Sequence, residues 1–287
     1  MKQILKLMRV KHYIKNLLIF LPLIFSNNIT NIKLLIQTIL AFIIFSLITS
    51  IVYIFNDLKD VEKDKLHPTK KSRPLASGEI TKKQAYIIII ILIGICIISS
   101  ILIFKGNFKA YLLILTYVAL NICYSLKLKN IPIIDITVLA IGYLLRIMYG
   151  ASIIYVPVSN WLYLTVLSAS FYMAMGKRRN ELFEITTKKT TRDVLKYYNT
   201  NFLDKNMYMC LGLAIVFYSL WCMDICKQIN NRINVMYTIP IIIILSMKYS
   251  LNIEKDGSGD PVEVILKDKT IIFLLLILAV MLGVNYI

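Results

Sequence analysis

The stretch Asn56-Asp57-Leu58-Lys59-Asp60-Val61-Glu62-Lys63-Asp64 follows directly on the uncharged run from Leu34 to Phe55. If the helix predicted for that run continues into the stretch, Asp57, Asp60 and Asp64 lie on one face at i, i+3 and i+7, and Glu62 points elsewhere. Three like charges on one face repel one another unless cations lie between them. Mg²⁺ commonly binds one or two protein carboxylates together with the phosphate oxygens of a substrate. The stretch therefore predicts a Mg²⁺-diphosphate site at a membrane surface, with a solvated acidic helix end as the alternative.

A basic segment follows the acidic stretch. Its charged residues and histidine are Lys63, Lys65, His67, Lys70, Lys71 and Arg73. Two prolines and Gly78 predict an ordered loop here rather than a helix. Arg73 carries a rigid guanidinium fork that suits phosphate oxygens, and Lys70 is a second candidate for substrate binding. Thr81 and Gln84 predict a capping box at the start of the next helix.

The composition is that of a membrane protein. The 287 residues are 58% hydrophobic, with a mean hydropathy of +0.69, and the charges are gathered between long apolar runs. We therefore expect an all-α, polytopic membrane protein with a single transmembrane domain over residues 1–287. Nine uncharged runs predict nine spans in one bundle, near 17–26, 34–55, 85–104, 110–126, 131–154, 161–176, 207–223, 234–247 and 270–287. The first and eighth are short against the about 20 residues that cross the hydrocarbon, and Pro22 and Pro240 could break them.

The distribution of charge predicts the orientation. With a cytoplasmic N-terminus, 27 of the 33 Lys and Arg residues fall on the cytoplasmic side, 5 fall outside and Arg146 lies within a span. The positive-inside rule then predicts a plasma-membrane protein whose acidic and basic loops face the cytoplasm. The net charge of +17 is spread over short loops, which favours anionic lipids and phosphorylated substrates over nucleic acid as partners.

Two further polar features accompany the apolar runs. Lys15 and Asn16 end a basic lead-in that either anchors at the membrane interface or turns these two residues inward to hold a phosphate. In the fifth run Asp135 and Arg146 lie eleven residues apart, about three turns along one helical face. Charges inside spans are rare and usually functional, so Arg146 is expected to line a polar cavity, with a structural ion pair as the alternative. Asp135 is expected to be interfacial, because it lies close to the inner surface.

A second charged stretch, from Gly176 to Glu184, follows the sixth run as the acidic stretch follows the second. On a helix Lys177, Glu181 and Glu184 share one face, with Arg178 adjacent. A carboxylate such as Glu181 would then hold metal while the bases hold phosphate. The candidate residues from this stretch and its continuation are Lys177, Arg178, Glu181, Arg192 and Tyr198. The alternative is a surface helix with salt bridges.

These two motifs together resemble those of the UbiA superfamily of intramembrane prenyltransferases. The resemblance rests on Asn56-Asp57-x-x-Asp60-x-x-x-Asp64 after one span and on the charged motif after the sixth, and it covers nearly the whole chain. It implies a nine-helix bundle with a Mg²⁺-diphosphate site under cytoplasmic loops, where Asp57, Asp60 and Asp64 hold the metal and Asn56 adjoins the substrate.

Finer detail resembles one branch, the decaprenyl-phosphate phosphoribosyltransferases. The segments that carry it are Arg9 to Asn16, His67 to Lys70, Arg73-Pro74, Gly176-Lys177-Arg178 with Glu181-Leu182, and the turn from Asp256 to Glu263 with Leu266 and Asp268. The branch implies transfer of a 5-phosphoribosyl group from phosphoribosyl diphosphate to a polyprenyl phosphate for cell-envelope glycan precursors. Aromatic prenyltransferases carry a second aspartate-rich motif where this chain has Lys177, Arg178 and Glu181. Because both substrates of the branch bring phosphate, bases at this position suit the larger negative charge.

Two other functions stay open at this point. A prenyltransferase that joins an isoprenyl diphosphate to an aromatic or quinone-precursor acceptor would share the fold and the metal site. A transporter would place polar residues in broken helices near the midplane, where the sequence offers only Arg146. The oligomeric state, including a homo-oligomer, is also left open.

Overall fold

The structure, a computed structural model, describes residues 2–26, 28–66, 70–104, 106–187, 193–228, 235–256 and 261–284. These residues form helices joined by short loops and contain no β-strand, which confirms the all-α prediction. Two compact units result: unit 1 comprises Met1–Leu126 and Leu145–Pro157, and unit 2 comprises Lys127–Leu144 and Val158–Ile287. The expectation of a single functional domain stays a prediction.

Unit 1 is built around one long helix. Its elements are α1 (Lys2–Leu7), a 3₁₀ helix (Val10–Phe20), α2 (Leu21–Phe25), α3 (Ile32–Lys65), a 3₁₀ turn (Lys70–Ser72), α4 (Lys82–Ile103), α5 (Phe108–Leu126) and the later part of α6 (Ile134–Ile153). The N-terminal 3₁₀ helix, α4 and α5 all pack against α3. Thr81 and Gln84 cap α4 with both hydrogen bonds of a capping box, as predicted.

Helix α3 carries the apolar run and the acidic stretch without a break. Asn31 caps its first turn by accepting a hydrogen bond from the backbone N–H of Leu34. Its 34 residues rise about 50 Å, whereas the hydrocarbon core of a bilayer is about 30 Å thick. The acidic end of this helix therefore projects beyond the apolar region, at one end of a span.

Unit 2 contains the first part of α6 and the C-terminal helices. Its further elements are a 3₁₀ turn (Leu128–Asn130), α7 (Asn160–Thr187), a 3₁₀ turn (Asp193–Tyr197), α8 (Thr200–Gln228), α9 (Thr238–Asp256), α10 (Pro261–Lys267) and α11 (Lys269–Val284). Tyr172 of α7, Met207 of α8 and Ile253 of α9 lie in its buried core. Gly176 allows the close approach of these helices, because a Cβ there would lie 3.2 Å from Cδ1 of Ile253.

The chain is a multi-pass membrane protein, but the structure does not confirm nine spans. Among the described residues, five helices are long and apolar enough to cross a membrane: α3, α4, α5, α6 and Thr200–Cys226 within α8. The first predicted span is divided between the 3₁₀ helix and α2, where Pro22 occupies the helix start. Pro240 does not interrupt a helix, because it lies in the first turn of α9, where a backbone N–H makes no hydrogen bond within the helix.

Candidate functional site

Unit 1 holds an acidic site at the end of α3, formed by Asp57, Asp64, Arg9 and Arg73. Asp57 and Asp64 are only 3% and 4% exposed. Nη1 of Arg73 donates to Oδ1 of Asp57 at 3.0 Å and to Oδ2 of Asp64 at 2.7 Å. Nη2 of Arg9 donates to the same Asp57 oxygen at 2.5 Å. Two guanidinium groups thus offset the repulsion between the carboxylates that the sequence brings to one helical face.

The other acids of the stretch behave as their spacing predicts. Asp60 lies on the same helical face and is partly exposed. Glu62 points away: its side chain is 73% exposed and pairs with Lys65 at 3.1 Å. Asn56 is held by α5, because its Oδ1 accepts a hydrogen bond from the hydroxyl of Ser125.

The loop after α3 is ordered in its described part. Nζ of Lys6 donates to the carbonyl of Ser72 at 2.7 Å, and the N–H of Ser77 donates to the carbonyl of Arg73 at 2.8 Å. These bonds hold Arg73 beside Asp57 and Asp64. Lys70 begins the short 3₁₀ turn and is partly exposed, whereas His67 lies outside the described residues.

Arg9 is a site residue that sequence reasoning missed. It stands in the left-handed region, with φ 53° and ψ 47°, immediately before the 3₁₀ helix. Non-glycine residues adopt this conformation at an energetic cost and often do so at functional sites. Its guanidinium carbon also lies 4.9 Å from the ring centroid of Tyr53. The sequence signal for Arg9 is its place in the same basic lead-in that ends at Lys15 and Asn16.

Asn16 and Arg146 meet in the interior of unit 1. Nε of Arg146 donates to Oδ1 of Asn16 at 2.8 Å, and Nη2 donates to the hydroxyl of Tyr117 at 3.1 Å. Asn16 in turn donates to the hydroxyl of Ser46 at 3.0 Å. The guanidinium also lies over the rings of Phe45 and Tyr117. The proposed roles of Asn16, Arg146 and the partly exposed Lys15 in substrate binding stay predictions.

Unit 2 holds a second cluster, the arginine cluster, formed by Asp135, Arg178, Glu181 and Tyr198. Arg178 and Asp135 are both wholly buried. Nε of Arg178 donates to Oδ2 of Asp135 at 2.5 Å, and Nη1 donates to Oε2 of Glu181 at 2.8 Å. Asp135 is therefore the buried partner of Arg178, and its expected place near the membrane interface stays a prediction.

Tyr198 completes the arginine cluster. Its hydroxyl donates to Oδ1 of Asp135 at 2.6 Å and accepts the backbone N–H of Ile133 at 2.6 Å. Burial and the hydrogen bond to Asp135 raise the pKa of Tyr198 above its usual value, so the phenol keeps its proton. No sequence signal tied Asp135 to Arg178, because the two are 43 residues apart and lie on different helices.

The remaining predicted residues are placed only in part. Lys177 is partly exposed on α7, whereas Arg192 and the turn 257–260 lie outside the described residues. Arg179 follows Arg178 and pairs through its Nε with Oδ1 of Asp204 on α8 at 2.5 Å. The phosphate-binding roles of Lys177, Arg178 and Arg192 stay predictions.

The acidic site fits a hard divalent cation chemically. Among the described residues, no three His, Cys, Asp or Glu side chains lie close enough together to hold a metal. Asp57 and Asp64 nevertheless both direct a carboxylate oxygen at Nη1 of Arg73, within 3.0 Å. The two carboxylates thus converge on one positively charged group. A pair of carboxylates placed in this way suits Mg²⁺, which commonly takes one or two protein carboxylates and completes its coordination with water and substrate phosphate. Glu181 instead accepts a hydrogen bond from Arg178, and its role as a metal ligand stays a prediction.

Comparison with known proteins places the chain among membrane transferases. The model of the UbiA prenyltransferase family matches residues 18–226. The decaprenyl-phosphate phosphoribosyltransferase of Corynebacterium glutamicum is 32% identical over 272 residues, which cover 93% of this chain and 81% of that protein. The protein of the same name from Mycobacterium tuberculosis is 28% identical over 273 residues, covering 93% and 89%.

Solved structures share the fold. A UbiA homologue from Archaeoglobus fulgidus bound to DMAPP and Mg²⁺ superposes with a TM-score of 0.70 at 18% sequence identity, over 99% of this chain and 98% of that one. The same homologue bound to Cd²⁺ gives a TM-score of 0.68. At this level of identity the likeness concerns the fold alone.

Proposed function

We propose, from the premise that this chain belongs to the UbiA prenyltransferase family, that it transfers a 5-phosphoribosyl group from phosphoribosyl diphosphate to a polyprenyl phosphate. Diphosphate would be released, and the product would serve as a precursor of cell-envelope glycans. The observation that carries the proposal is the composition of the second charged motif. It places three bases, Lys177, Arg178 and Arg179, ahead of two glutamates, Glu181 and Glu184, within a chain otherwise built on the family's acidic motif.

The similarity to two proteins named decaprenyl-phosphate phosphoribosyltransferase supports this proposal, because it extends over 93% of the chain. Both substrates of such a reaction carry phosphate besides the leaving diphosphate. A basic second motif suits that excess of negative charge better than a second set of carboxylates does.

In the proposed reaction Asp57, Asp60 and Asp64, which share one face of α3, would hold Mg²⁺. The metal would neutralise the leaving diphosphate. Arg9 and Arg73 already lie at the carboxylates of Asp57 and Asp64, within 3.0 Å of their oxygens. Some of the N–H groups of these two guanidinium groups would then donate to the phosphate oxygens of the substrate. The planar geometry of a guanidinium group is well suited to such bonds.

The bond changes in this reaction are simple. The bond between C1 of the ribose and the diphosphate oxygen breaks as positive charge develops at C1, and an oxygen of the lipid phosphate forms the new bond to C1. The attacking phosphate is already anionic at neutral pH, so no general base is assigned. The chain's task is to place the two anionic groups and to offset their charge.

Within the arginine cluster, Asp135 and Glu181 hold the guanidinium of Arg178 in a fixed orientation. We assign phosphate binding in unit 2 to Lys177 and Arg178, with Arg192 and Tyr198 as further substrate contacts. Lys70 is assigned to substrate binding in unit 1. Lys15, Asn16, Asn56 and Arg146 are assigned to substrate binding in unit 1, and Glu181 remains a candidate metal ligand. The apolar spans would hold the polyprenyl chain within the bilayer.

We also propose that the protein resides in the plasma membrane with its charged loops in the cytoplasm, on the basis of the 27 basic residues on one side of the predicted topology.

One assay tests the function. The purified protein is incubated with Mg²⁺, phosphoribosyl diphosphate and a polyprenyl phosphate, and the products are examined for a lipid-linked pentose phosphate and for free diphosphate. We expect both products in equal amounts. Failure with every polyprenyl phosphate, together with condensation of an isoprenyl diphosphate and an aromatic acceptor, would instead assign the protein to the aromatic branch. Substrate uptake into proteoliposomes without any chemical change would indicate a transporter.

A further inference from the structure

Asn180 of α7 has a buried side chain with unmet hydrogen-bonding capacity. The residue is 1% exposed, and neither Nδ2 nor Oδ1 has a hydrogen-bond partner among the residues that the structure describes. Most buried side-chain polar atoms in proteins are hydrogen-bonded, because burying an unpaired amide destabilises the fold. A buried amide that lacks partners within its own protein is therefore a candidate for binding a ligand.

The position of Asn180 on α7 defines its surroundings. It lies four residues after Gly176 and so on the same face of the helix, one turn nearer the charged end. A Cβ at Gly176 would lie 3.2 Å from Ile253 of α9 and 3.5 Å from Met207 of α8. The Asn180 side chain thus lies on the face of α7 that is directed toward α8 and α9 in unit 2, beside the basic motif.

The charges next to Asn180 in the chain are already offset by carboxylates. Arg178 pairs with Asp135 and Glu181, and Arg179 pairs with Asp204. What distinguishes this position is the carboxamide, which donates through Nδ2 and accepts through Oδ1. A hydroxyl group, which also donates and accepts, complements such an amide better than a fully ionised phosphate does, since the phosphate only accepts.

We propose that the carboxamide of Asn180 binds a hydroxyl group of the sugar in the donor substrate and so contributes to the choice of donor. The inference rests on the proposed function, in which the donor is a phosphorylated sugar diphosphate. An isoprenyl diphosphate has no hydroxyl group and would leave the buried amide unpaired. Sites that hydrogen-bond a substrate hydroxyl strongly reject analogues that lack it, because their polar groups are then left without partners.

The test compares two ligands that differ by the sugar. Binding of phosphoribosyl diphosphate and of inorganic diphosphate to the full-length protein is measured by calorimetry in detergent with Mg²⁺. Asn180→Leu keeps a similar volume and removes both polar atoms, and Asn180→Ala provides a second variant should the first fail to fold. The matched control is Asn206→Leu on α8, where the amide donates to the carbonyl of Phe202 at 2.8 Å.

We expect each Asn180 variant to bind phosphoribosyl diphosphate about tenfold or more weakly than the wild type, the size of effect given by a lost hydrogen bond of about 1.4 kcal/mol. Its affinity for inorganic diphosphate should be unchanged, and the control should bind both ligands normally. The melting temperature of ligand-free Asn180→Leu should equal or exceed that of the wild type, since the variant no longer buries an unpaired amide.

Three results would overturn the inference while leaving the proposed function intact. The first two apply when the wild-type protein is active. An Asn180 variant could keep full affinity for phosphoribosyl diphosphate, or it could lose affinity for both ligands equally. A clear fall in the melting temperature of ligand-free Asn180→Leu would show that the amide already has partners within the protein. A wild-type protein that neither prefers phosphoribosyl diphosphate to diphosphate nor transfers the sugar would overturn the proposed function, and the inference with it.

Discussion

Arg178 and Asp135 form an ion pair in which neither side chain is exposed, with Nε of the arginine donating to Oδ2 of the aspartate at 2.5 Å. The pair joins the start of α6 to the charged end of α7 within unit 2. Removing two charges from water is unfavourable, and their mutual attraction offsets this cost only while each charge keeps its partner. The integrity of the arginine cluster therefore depends on Asp135, a residue outside both charged motifs.

Asp135→Asn is expected to destabilise the protein, because it leaves the guanidinium of Arg178 buried without its full countercharge. Loss of one partner of a buried pair costs about 3 to 5 kcal/mol, so the melting temperature in detergent should fall markedly. The control is Asp193→Asn, which breaks an exposed pair with Lys196 whose side chains are 79% and 77% exposed. That change should cost less than about 1 kcal/mol. Equal melting temperatures for the two variants would contradict the prediction.

Asp57→Asn and Asp60→Asn should each lower turnover by about 100-fold or more. The amide keeps the shape of the carboxylate but lacks the negative charge that would hold Mg²⁺ at the diphosphate. Turnover is measured with purified variants at saturating Mg²⁺. Glu62→Gln is the matched control within the same stretch, because Glu62 points away and is 73% exposed. It should retain nearly normal turnover, and a normal rate in Asp57→Asn would remove the metal assignment.

Gly150→Ala should destabilise unit 1. A Cβ at Gly150 would lie 2.2 Å from the carbonyl oxygen of Ile19, so the backbone must shift to admit it. Overpacking of this kind costs about 1 to 3 kcal/mol. Gly94→Ala on α4 serves as the control, because no atom lies within 4 Å of the added Cβ. Thermal unfolding that ranks the two variants equally would show that the contact at Ile19 is easily relaxed.

The topology can be tested with single cysteines placed at Lys65, Lys196 and Lys109 in a background free of the five native cysteines. The first two side chains are 49% and 77% exposed, and Lys109 is also exposed, so none of the three positions is buried within the protein. An impermeant thiol reagent added to intact cells should label only the cysteine at position 109. Labelling at 65 or 196 instead would reverse the proposed orientation.

Much of the acidic site could be predicted from the chain. The spacing of Asp57, Asp60 and Asp64 placed them on one helical face, and the structure confirms that Asp57 and Asp64 share a cationic partner there. Arg73 was identified because the chemistry of its side chain suits phosphate and because a short loop keeps it near α3. Glu62 was separated from these acids by helical periodicity, and its exposed side chain agrees.

The count of spans was less predictable, because apolar composition does not by itself fix the length or type of a helix. The first run forms a 3₁₀ helix followed by the five residues of α2, and α11 has 16 residues. Pro22 lies in the first turn of α2, and Pro240 lies in the first turn of α9. Both prolines are therefore tolerated because each lies in the first turn of a helix, and the apolar pattern did not show where those helices begin.

The sequence by itself determined the membrane class, the helical architecture and the acidic face of α3, because these follow from composition and from contacts within a few turns of one helix. Only the tertiary structure decided that Asp135 pairs with Arg178, that Arg9 reaches Asp57, and that Asn180 is buried with its amide unpaired among the described residues. The physical reason is that such partnerships depend on how separate helices and loops pack, and burial sets their strength. Neither is encoded in local spacing.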